Sequence, residues 1–454
     1  MTLKIDDDWE RAHQTVLRRR DMMAPDQVPE PVRAGIYHAF GEELMPAQAV
    51  ARILADVRRR GDEALRDWTA RIDNLSLDGF EVPAEAMETA HNSLPPDLAE
   101  ALALAAKRIR DFHARQPIPA LSWTMDEMGG TLGQRVVPLQ RVGVYVPGGT
   151  APLPSSLLMA VIPARVAGVD EVIVCTPPGR EACPERSRRD GRIPDVTLAA
   201  AHIAGVDRLF RLGGAQAIGA LAYGTATVPQ VDKIVGAGGL FTTLAKRQVY
   251  GQVGLDGLYG PTETVVVADD SASPAWVAAD LLAQAEHDAL ATAILITPSR
   301  SLAEAVQVQV KHQAEKLSRA DVISASLVGQ GGIIITPDLE TAIRLADEFA
   351  PEHLCLSVRE PQVWAKRIRN AGGLFLGEHS FEVLGDYVAG PSHIMPTGGT
   401  ARFNSPVNVL DFVKIVNIIG LDTKTAAQLC PAAARIANAE SLTAHAAAAI
   451  VREK

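Results

Sequence analysis

The clearest chemical capacity in this chain lies in an adjacent carboxylate and imidazole, Glu352 and His353, in a sequence with only 11 histidines. Such a pair can accept and donate protons within one reaction. The alternative is a solvated carboxylate beside a histidine that starts a helix. A shared site is favoured by three further segments, each of which pairs groups that bind metals or transfer protons: Gln284 with His287, Asp386 with His393, and Glu440 with His445.

The same segments contain the ligand types of a zinc site. Zinc accepts imidazole and carboxylate groups, and a catalytic zinc keeps one position open for substrate. The spacing of Gln284 and His287 places both side chains on one face of a helix, which is helpful but unspecific. No two of the candidates form an H-E-x-x-H helix. Spacing alone therefore leaves open a zinc site formed by His287, Asp386 and His445, with Gln284 as an auxiliary ligand.

Composition limits the kinds of protein to which such a site could belong. The chain has 454 residues, 47% hydrophobic and 22% charged, enough for two or three domains. Its net charge of −10 argues against nucleic-acid or membrane partners and favours a small molecule. The four cysteines lie far apart and no signal-peptide core is present, which predicts free thiols and a cytoplasmic location. The longest apolar stretch, 151–177, is too interrupted for a membrane span.

The hydrophobic pattern changes along the chain from helical to alternating. Residues 43–75 and 83–115 show helical spacing, which predicts a mostly helical N-terminal region. From Val136, short β-branched runs alternate with alanine-rich runs, as in βαβ units of a parallel sheet. Residues 179–191 predict a charged surface loop, and a helical tail begins near Pro406. The predicted strands cover residues 142–146, 172–175, 208–212, 233–235, 264–267, 293–297, 332–336 and 373–376.

Glycine-rich turns follow three of these strands. Residues 233–241 fit strand, tight turn and helix, which would present backbone N–H groups to phosphate, without a complete dinucleotide fingerprint. Residues 142–150 contain Tyr145, whose ring could stack on a flat ligand, and residues 212–216 end at Gln216. Loops that follow parallel strands of one sheet meet at its carboxyl edge, where open α/β folds bind ligands. The three turns together favour a nucleotide site.

Six segments, in family order, resemble the histidinol dehydrogenase family, and the resemblance extends from about residue 30 onward. They are Tyr145 to Ser156, Gly213 to Ile218, Gln284 to His287, Pro351 to Leu354, Gly385 to Tyr387 and Leu442 to His445. The resemblance implies a zinc-dependent enzyme of histidine biosynthesis that oxidises L-histidinol to L-histidine with two NAD+ in succession, through an aldehyde that stays bound.

The resemblance also implies roles for individual residues. His353 would take the alcohol proton, and Glu352 would activate the water that hydrates the aldehyde. One Zn2+ per subunit would be bound by Gln284, His287, Asp386 and His445. The implied substrate-binding residues are Thr262, Gln284, His287, His353, Asp386, His393, Glu440 and His445, and the implied cofactor-binding residues are Tyr145, Gln216 and Gly239.

The chain departs from the usual family sequence in two of these places. Gly236-Ala237-Gly238-Gly239 stands where most members have Gly-Pro-Gly-Asn, so an asparagine side chain is missing at position 239. Thr262 replaces a serine that contacts substrate, and it adds a methyl group. These differences keep open a paralogous zinc-dependent alcohol dehydrogenase that acts on another small polar alcohol. The intact Glu352-His353 pair argues against a further alternative, a zinc-binding protein without catalysis.

The fold implied by the resemblance is α/β, with two incomplete Rossmann-like domains of parallel sheets and small helical terminal parts, in a domain-swapped homodimer. The expected division is an N-terminal helical arm (1–44), a domain with the metal and catalytic residues (45–141 and 265–400), an NAD-binding domain (142–264) and a C-terminal helical tail (401–454). The tail would carry Glu440 and His445 into the active site of the partner subunit.

Overall fold

The computed structural model describes residues 3–19, 28–118, 121–126, 129–148, 152–178 and 191–452. Most of the charged segment that is predicted to be a surface loop, residues 179–190, lies outside these ranges. Among the described residues, no helix combines the length and the apolar character that crossing a membrane requires.

The strands are short, and most of them are parallel. In chain order they are β1 (Ile5–Asp6), β2 (Glu81–Val82), β3 (Trp123–Met125), β4 (Gly130–Pro138), β5 (Arg141–Tyr145), β6 (Glu171–Thr176), β7 (Arg208–Arg211), β8 (Lys233–Val235), β9 (Gly254–Leu255), β10 (Glu263–Ala268), β11 (Thr292–Thr297), β12 (Gly332–Ile335), β13 (His353–Ser357), β14 (Gly373–Leu376) and β15 (Val413–Leu421). All eight strands predicted from the sequence are present, and their bounds agree to within about one residue.

Helices fill the intervals between the strands. They are α1 (Glu30–Phe40), α2 (Pro46–Arg60), α3 (Asp62–Asp73), α4 (Ala84–Asn92), α5 (Pro96–His113), α6 (Pro154–Ala167), α7 (Asp195–Ala204), α8 (Gly214–Tyr223), α9 (Leu240–Val249), α10 (Pro274–Ala285), α11 (Arg300–Ala314), α12 (Ala320–Gln330), α13 (Leu339–Phe349), α14 (Pro361–Ala365), α15 (Glu382–Tyr387), α16 (Thr423–Ala439) and α17 (Thr443–Ile450). Several begin with proline. Proline has no backbone N–H, and the N–H of a first helical residue has no partner within the helix, so no hydrogen bond is lost there.

Two six-stranded sheets repeat one strand order. Sheet I has the order β2-β7-β6-β5-β8-β9, and sheet II has the order β1-β12-β11-β10-β13-β14. In each sheet, five parallel strands that are consecutive in the chain, β5 to β9 or β10 to β14, lie in the order third, second, first, fourth, fifth, as in a doubly wound fold. One earlier strand, β2 or β1, is added beside the third. Central strands such as β10 are buried on both faces, as parallel strands covered by helices must be. The predicted α/β class is confirmed.

The N-terminal helices pack on sheet I. Helix α2 contacts α8 and α9, α4 contacts α7, and α5 contacts α6, while β2 pairs antiparallel with β7. The sequence analysis instead grouped residues 45–141 with residues 265–400. The spacing of apolar residues shows which face of a helix is buried, but it does not identify the sheet that this face covers.

Both terminal regions contain strands as well as helices. Strand β1 pairs in parallel with β12, so the arm 1–44 adds an edge to sheet II. Strand β15 pairs antiparallel with β4 over its whole length, and β3 completes a third, three-stranded sheet. The tail 401–454 is therefore not wholly helical. Most side chains of β15 are exposed, so the strand lacks the alternation that marks a half-buried strand in the sequence.

Candidate active site and metal centre

The adjacent Glu352 and His353 lie at the amino end of β13. Helix α13 ends at Phe349, Ala350 adopts a left-handed conformation with φ of 53°, and Pro351 prevents the helix from continuing. Glu352 and His353 follow, with 7% and 3% of their surfaces exposed. The strand was not predicted, and the alternative of a solvated pair at a helix start is wrong, because both side chains are buried.

The Glu352 carboxylate accepts hydrogen bonds from two residues at the amino end of β10. Thr262 Oγ1 donates to Glu352 Oε2 at 2.5 Å, and the backbone N–H of Glu263 donates to the same oxygen at 3.1 Å. Burial raises the pKa of Glu352 to about 7, although His353 and both hydrogen bonds oppose the rise. A carboxyl group with a pKa near neutrality is suited to act as a general base.

The imidazole of His353 has one bound and one free nitrogen. Nδ1 is 3.3 Å from the carbonyl oxygen of Glu263, so an Nδ1–H donates this hydrogen bond. Nε2 is 3.8 Å from Asp386 Oδ1 and has no hydrogen-bond partner among the described residues. Burial lowers the pKa of His353, but three nearby carboxylates outweigh it and raise the pKa to about 10: Glu382, Glu352 and Asp386. Nε2 is thus the nitrogen that a substrate hydroxyl could reach.

A group of potential metal ligands lies beside this pair. Glu382 and Asp386 are four residues apart on α15, and their ligand atoms lie within 4.8 Å of each other and of a ring nitrogen of His287, which follows α10. Gln284, in the last turn of α10, is completely buried. Its Nε2 donates to Thr262 Oγ1 at 2.9 Å, and its amide oxygen has no hydrogen-bond partner in the described ranges.

These residues fit a divalent cation. Imidazole nitrogen and carboxylate oxygen are regular zinc ligands, and an amide oxygen offers one further lone pair. Gln284 Oε1 and Glu382 Oε1 are buried without hydrogen-bond partners among the described residues, which is costly unless a ligand binds there. The carboxylates of Glu352, Glu382 and Asp386 also concentrate negative charge in one buried region, which a cation would offset.

His393 connects the metal group to sheet I. Its Nδ1 is 2.7 Å from the carbonyl oxygen of Asp386, and its Nε2 is 3.1 Å from Ser156 Oγ in the first turn of α6. Ser392 Oγ donates to the carbonyl oxygen of Met159 in the same helix. Because α6 connects β5 to β6, the two sheets meet at this histidine.

Within one chain, Glu440 and His445 do not belong to the metal-ligand group of His287, Glu382 and Asp386. Glu440 follows the last residue of α16, His445 lies in α17, and both side chains are exposed. The metal-ligand group found among the described residues contains neither of them. Helices α16 and α17 pack chiefly against each other.

The described parts of the three glycine turns, which leave out residues 149 and 150, lie together at the carboxyl edge of sheet I. The N–H of Gly214 donates to Tyr145 Oη at 3.0 Å, and a Cβ on Gly236 would stand only 2.2 Å from the Tyr145 carbonyl oxygen. Gln216 is completely buried in α8, and within the part of the chain that the structure describes neither of its amide atoms has a hydrogen-bond partner. Gly239 precedes α9, and a Cβ there would meet nothing within 4 Å.

Buried contacts fix the shape of these turns. Lys246 Nζ donates to Asp256 Oδ1 at 2.6 Å and to the carbonyl oxygen of Gly236 at 2.8 Å. Asp256 Oδ2 accepts from the N–H of Gly236 at 2.7 Å. The ring of Tyr145 is buried in the core and does not offer a face for stacking, contrary to the sequence analysis. Helices α8 and α9 begin at this edge, and helix N-termini favour phosphate.

Comparison with known proteins identifies the family. The family model described as histidinol dehydrogenase matches residues 42–453. The chain belongs to the histidinol dehydrogenase family. A histidinol dehydrogenase of Deinococcus radiodurans is 52% identical over 429 residues, which cover 94% of this chain and 95% of the relative. One from Dehalococcoides mccartyi is 49% identical over 407 residues, covering 90% and 91%.

Structural comparison agrees with this assignment. The crystal structure of histidinol dehydrogenase from Elizabethkingia anophelis matches with a TM-score of 0.87 at 31% identity, covering 99% of this chain and 98% of that one. The family resemblance found in the sequence is therefore confirmed. The Thr262 hydroxyl, at the position where the family resemblance implies serine, donates one hydrogen bond to Glu352 and accepts another from Gln284.

Three residues of the site were not among the candidates taken from the sequence. Glu382 had a detectable signal, because it precedes Asp386 by four residues and a helix brings such pairs to one face. Glu263 had none, since it contributes backbone groups. Ser156 reaches His393 through the tertiary fold.

Proposed function

We propose that this chain oxidises L-histidinol to L-histidine in two successive steps that each transfer a hydride to NAD+, at the end of histidine biosynthesis. The family and the relatives named above support the reaction class. The observation that carries the proposal is the buried Glu352-His353 pair beside a metal-ligand group. An alcohol and a hydrated aldehyde each lose a proton with the hydride, so one such pair can serve both steps.

Zinc is assigned to Gln284, His287 and Asp386, with His445 of the partner subunit as the fourth ligand. If bound by these residues, zinc would supply a positive charge that orients the nitrogen-bearing end of the substrate. The hydrogen bond from Gln284 Nε2 to Thr262 turns the amide so that its oxygen, the atom suited to zinc, is the free one.

His353 takes the alcohol proton in the first oxidation. Because Nδ1–H is directed to the Glu263 carbonyl, Nε2 carries the lone pair that accepts this proton. The carboxylates that raise the pKa of His353 include Asp386, and offsetting their charge with a cation favours the neutral imidazole that this step needs.

Glu352 activates the water that adds to the aldehyde. Its raised pKa makes the carboxylate basic enough to accept a proton from water, and Thr262 holds one oxygen in place. His353 releases the first proton to solvent, the hydrate gives up the second hydride of the overall reaction to a second NAD+, and His353 takes the hydroxyl proton. No covalent nucleophile is needed, and the nearby Cys355 is buried in the core.

NAD+ is assigned to the carboxyl edge of sheet I, near Tyr145, Gln216 and Gly239, where it accepts the hydride. The unpartnered amide of Gln216 and the starts of α8 and α9 support this position. The Ser156–His393 contact brings α6 from the cofactor side to the substrate side, so both sites belong to one cleft.

A homodimer with shared active sites completes the proposal. The tail, with β15, α16 and α17, carries the exposed Glu440 and His445, together with a set of exposed apolar side chains: Ile415, Ile419, Leu429, Ile436, Leu442 and Ile450. An exposed apolar surface of this kind marks an interaction site. A second copy of the chain would cover the tail and receive both residues, Glu440 for substrate and His445 for zinc.

A cytoplasmic location is also proposed. Three cysteines, Cys175, Cys355 and Cys430, are free, which is compatible with a reducing compartment. The second candidate function is a paralogous zinc-dependent alcohol dehydrogenase for another small polar alcohol, favoured by Gly239 and by the extra methyl group of Thr262.

The test is the amount of NADH formed per L-histidinol consumed, with purified zinc-loaded protein, excess NAD+ and identification of the product by mass spectrometry. Two NADH per substrate with histidine as product would support the proposal. Turnover of another small alcohol without turnover of histidinol would favour the paralogue.

A further inference from the structure

We propose that Arg19 is a positioning residue that holds Glu352 and His353 in their active geometry, an inference that rests on the proposed function. Arg19 lies near the end of the first described segment, residues 3–19, which is attached to sheet II through β1. The guanidinium does not touch either catalytic side chain. It binds the two backbone segments that carry them.

The first of these segments is the start of β10. Arg19 Nε donates to Glu263 Oε1 at 2.7 Å, and Nη2 donates to Oε2 at 2.9 Å, a two-pronged ion pair. Glu263 is 5% exposed. Its backbone N–H binds the carboxylate of Glu352, and its carbonyl oxygen accepts the hydrogen bond from His353 Nδ1. One residue thus orients both catalytic side chains, and Arg19 fixes that residue.

The second segment is the turn that leads into β13. Arg19 Nη2 also donates to the carbonyl oxygen of Ala350 at 3.3 Å. Ala350 has a left-handed backbone with φ of 53°, which is strained for a residue other than glycine and persists only when its surroundings hold it. Two residues later the chain reaches Glu352. The same guanidinium therefore also holds the backbone turn that immediately precedes Glu352 and His353.

The surroundings of Arg19 leave the guanidinium little freedom. Its central carbon is 3.8 Å from the centre of the Phe349 ring, and a Cβ on Gly399 would stand 2.7 Å from Arg19 Nη1. A planar group with several donors at fixed angles can bind Glu263, Ala350 and an aromatic face together. A lysine ammonium keeps the charge but lacks this fork.

The test compares Arg19→Met with a control that loses a different partly buried ion pair. Lys233 binds Asp411 at 2.9 Å at the amino end of β8 in sheet I, and Lys233→Met removes that pair without touching either backbone segment described above. Both variants are assayed as zinc-loaded full-length protein. The readouts are kcat, KM for histidinol, zinc per subunit, melting temperature, and amide hydrogen exchange of a peptide covering residues 350–357.

We expect Arg19→Met to lower kcat by about 10- to 100-fold, because small displacements of catalytic groups are costly. KM for histidinol and zinc content stay near wild-type values, and the 350–357 peptide exchanges faster. Arg19→Lys keeps the charge and regains part of kcat. Arg19→Met and Lys233→Met should lower the melting temperature by similar amounts. Lys233→Met leaves kcat and the exchange of the 350–357 peptide unchanged.

Unchanged kcat and unchanged exchange in Arg19→Met would overturn the inference. A fall in kcat of equal size in Lys233→Met would also overturn it, because the effect would then follow general stability. Wild-type turnover of histidinol is a separate test of the proposed function. If wild type does not oxidise histidinol, the exchange of residues 350–357 still decides whether Arg19 holds this segment.

Discussion

Sheets I and II share a strand order but carry their proposed sites at opposite edges. In sheet I the glycine turns follow β5, β7 and β8, so they lie at the carboxyl edge, where open α/β folds usually bind ligands. In sheet II the proposed catalytic pair lies at the start of β13, and Thr262 immediately precedes β10, so these groups lie at the amino edge. Strand order therefore indicates where the cofactor should bind, but it does not indicate where the chemistry should occur.

The two edges also differ in the groups that they contain. The edge of sheet II holds buried ionisable side chains, and burial raises the pKa of Glu352 to about 7. The edge of sheet I holds glycine turns whose backbone is supported by the buried Lys246–Asp256 pair. We therefore expect changes at the first edge to alter kcat and metal content, and changes at the second to alter KM for NAD+.

The largest effect is expected from loss of a metal ligand. His287→Asn should remove bound zinc and lower kcat by on the order of 1,000-fold, because the substrate loses the group that orients it. Zinc per subunit is measured by elemental analysis alongside kcat. His312→Asn is the control, since this exposed histidine of α11 contacts Lys316. Normal zinc content in His287→Asn would remove this residue from the metal site.

Thr262 should affect kcat through its hydroxyl group. Thr262→Val keeps the shape but removes the hydrogen bonds to Glu352 and Gln284, and kcat should fall by about 10- to 100-fold. Thr262→Ser keeps the hydroxyl and should stay within about threefold of wild type. Equal losses in both variants would mean that the methyl group, which fills space, matters more than the hydroxyl.

The ion pair beneath the cofactor turn should affect NAD+ binding. Lys246→Met leaves Asp256 buried without its counter-charge, which should cost about 3–5 kcal/mol of unfolding free energy. KM for NAD+ should rise about tenfold, because Gly236 loses a hydrogen bond, while kcat at saturating NAD+ changes little. Denaturant unfolding and initial rates measure the two effects. A fall in kcat with unchanged KM would contradict the division between the edges.

The smallest effect, a gain, is expected at Gly239. Gly239→Asn restores the usual family residue at a position with open space and an ordinary φ of −70°, and KM for NAD+ should fall by about threefold. Gly239→Ala adds a Cβ without an amide and serves as the control. An equal improvement in both variants would indicate a backbone effect, not contact between the asparagine amide and NAD+.

The sequence predicted most of the two parallel sheets because their strands are compact β-branched runs. Strand β13 was missed because it begins with His353 and contains a cysteine and a serine among its five residues. Strand β15 was missed because its side chains are mostly exposed. The placement of α2 to α5 on sheet I depends on tertiary packing, which apolar spacing does not encode.

Residues of the proposed site could be recognised in the sequence where the type of side chain suggests the proposed role. His287, Asp386 and the catalytic pair have chemically distinctive side chains at family positions. Glu263 acts through backbone groups, which any residue other than proline at that position would present. Arg19 binds Glu263 across 244 residues of sequence, and no local pattern reveals such a contact.

The most direct test of the division of labour between Glu352 and His353 uses Glu352→Gln and follows each half-reaction separately. With L-histidinol, we expect normal substrate binding and one NADH per active site, followed by a stall without histidine. With the aldehyde as substrate, oxidation should be lost, because no carboxylate remains to activate water. Equal loss of both half-reactions, or two NADH per active site in the variant, would contradict this account.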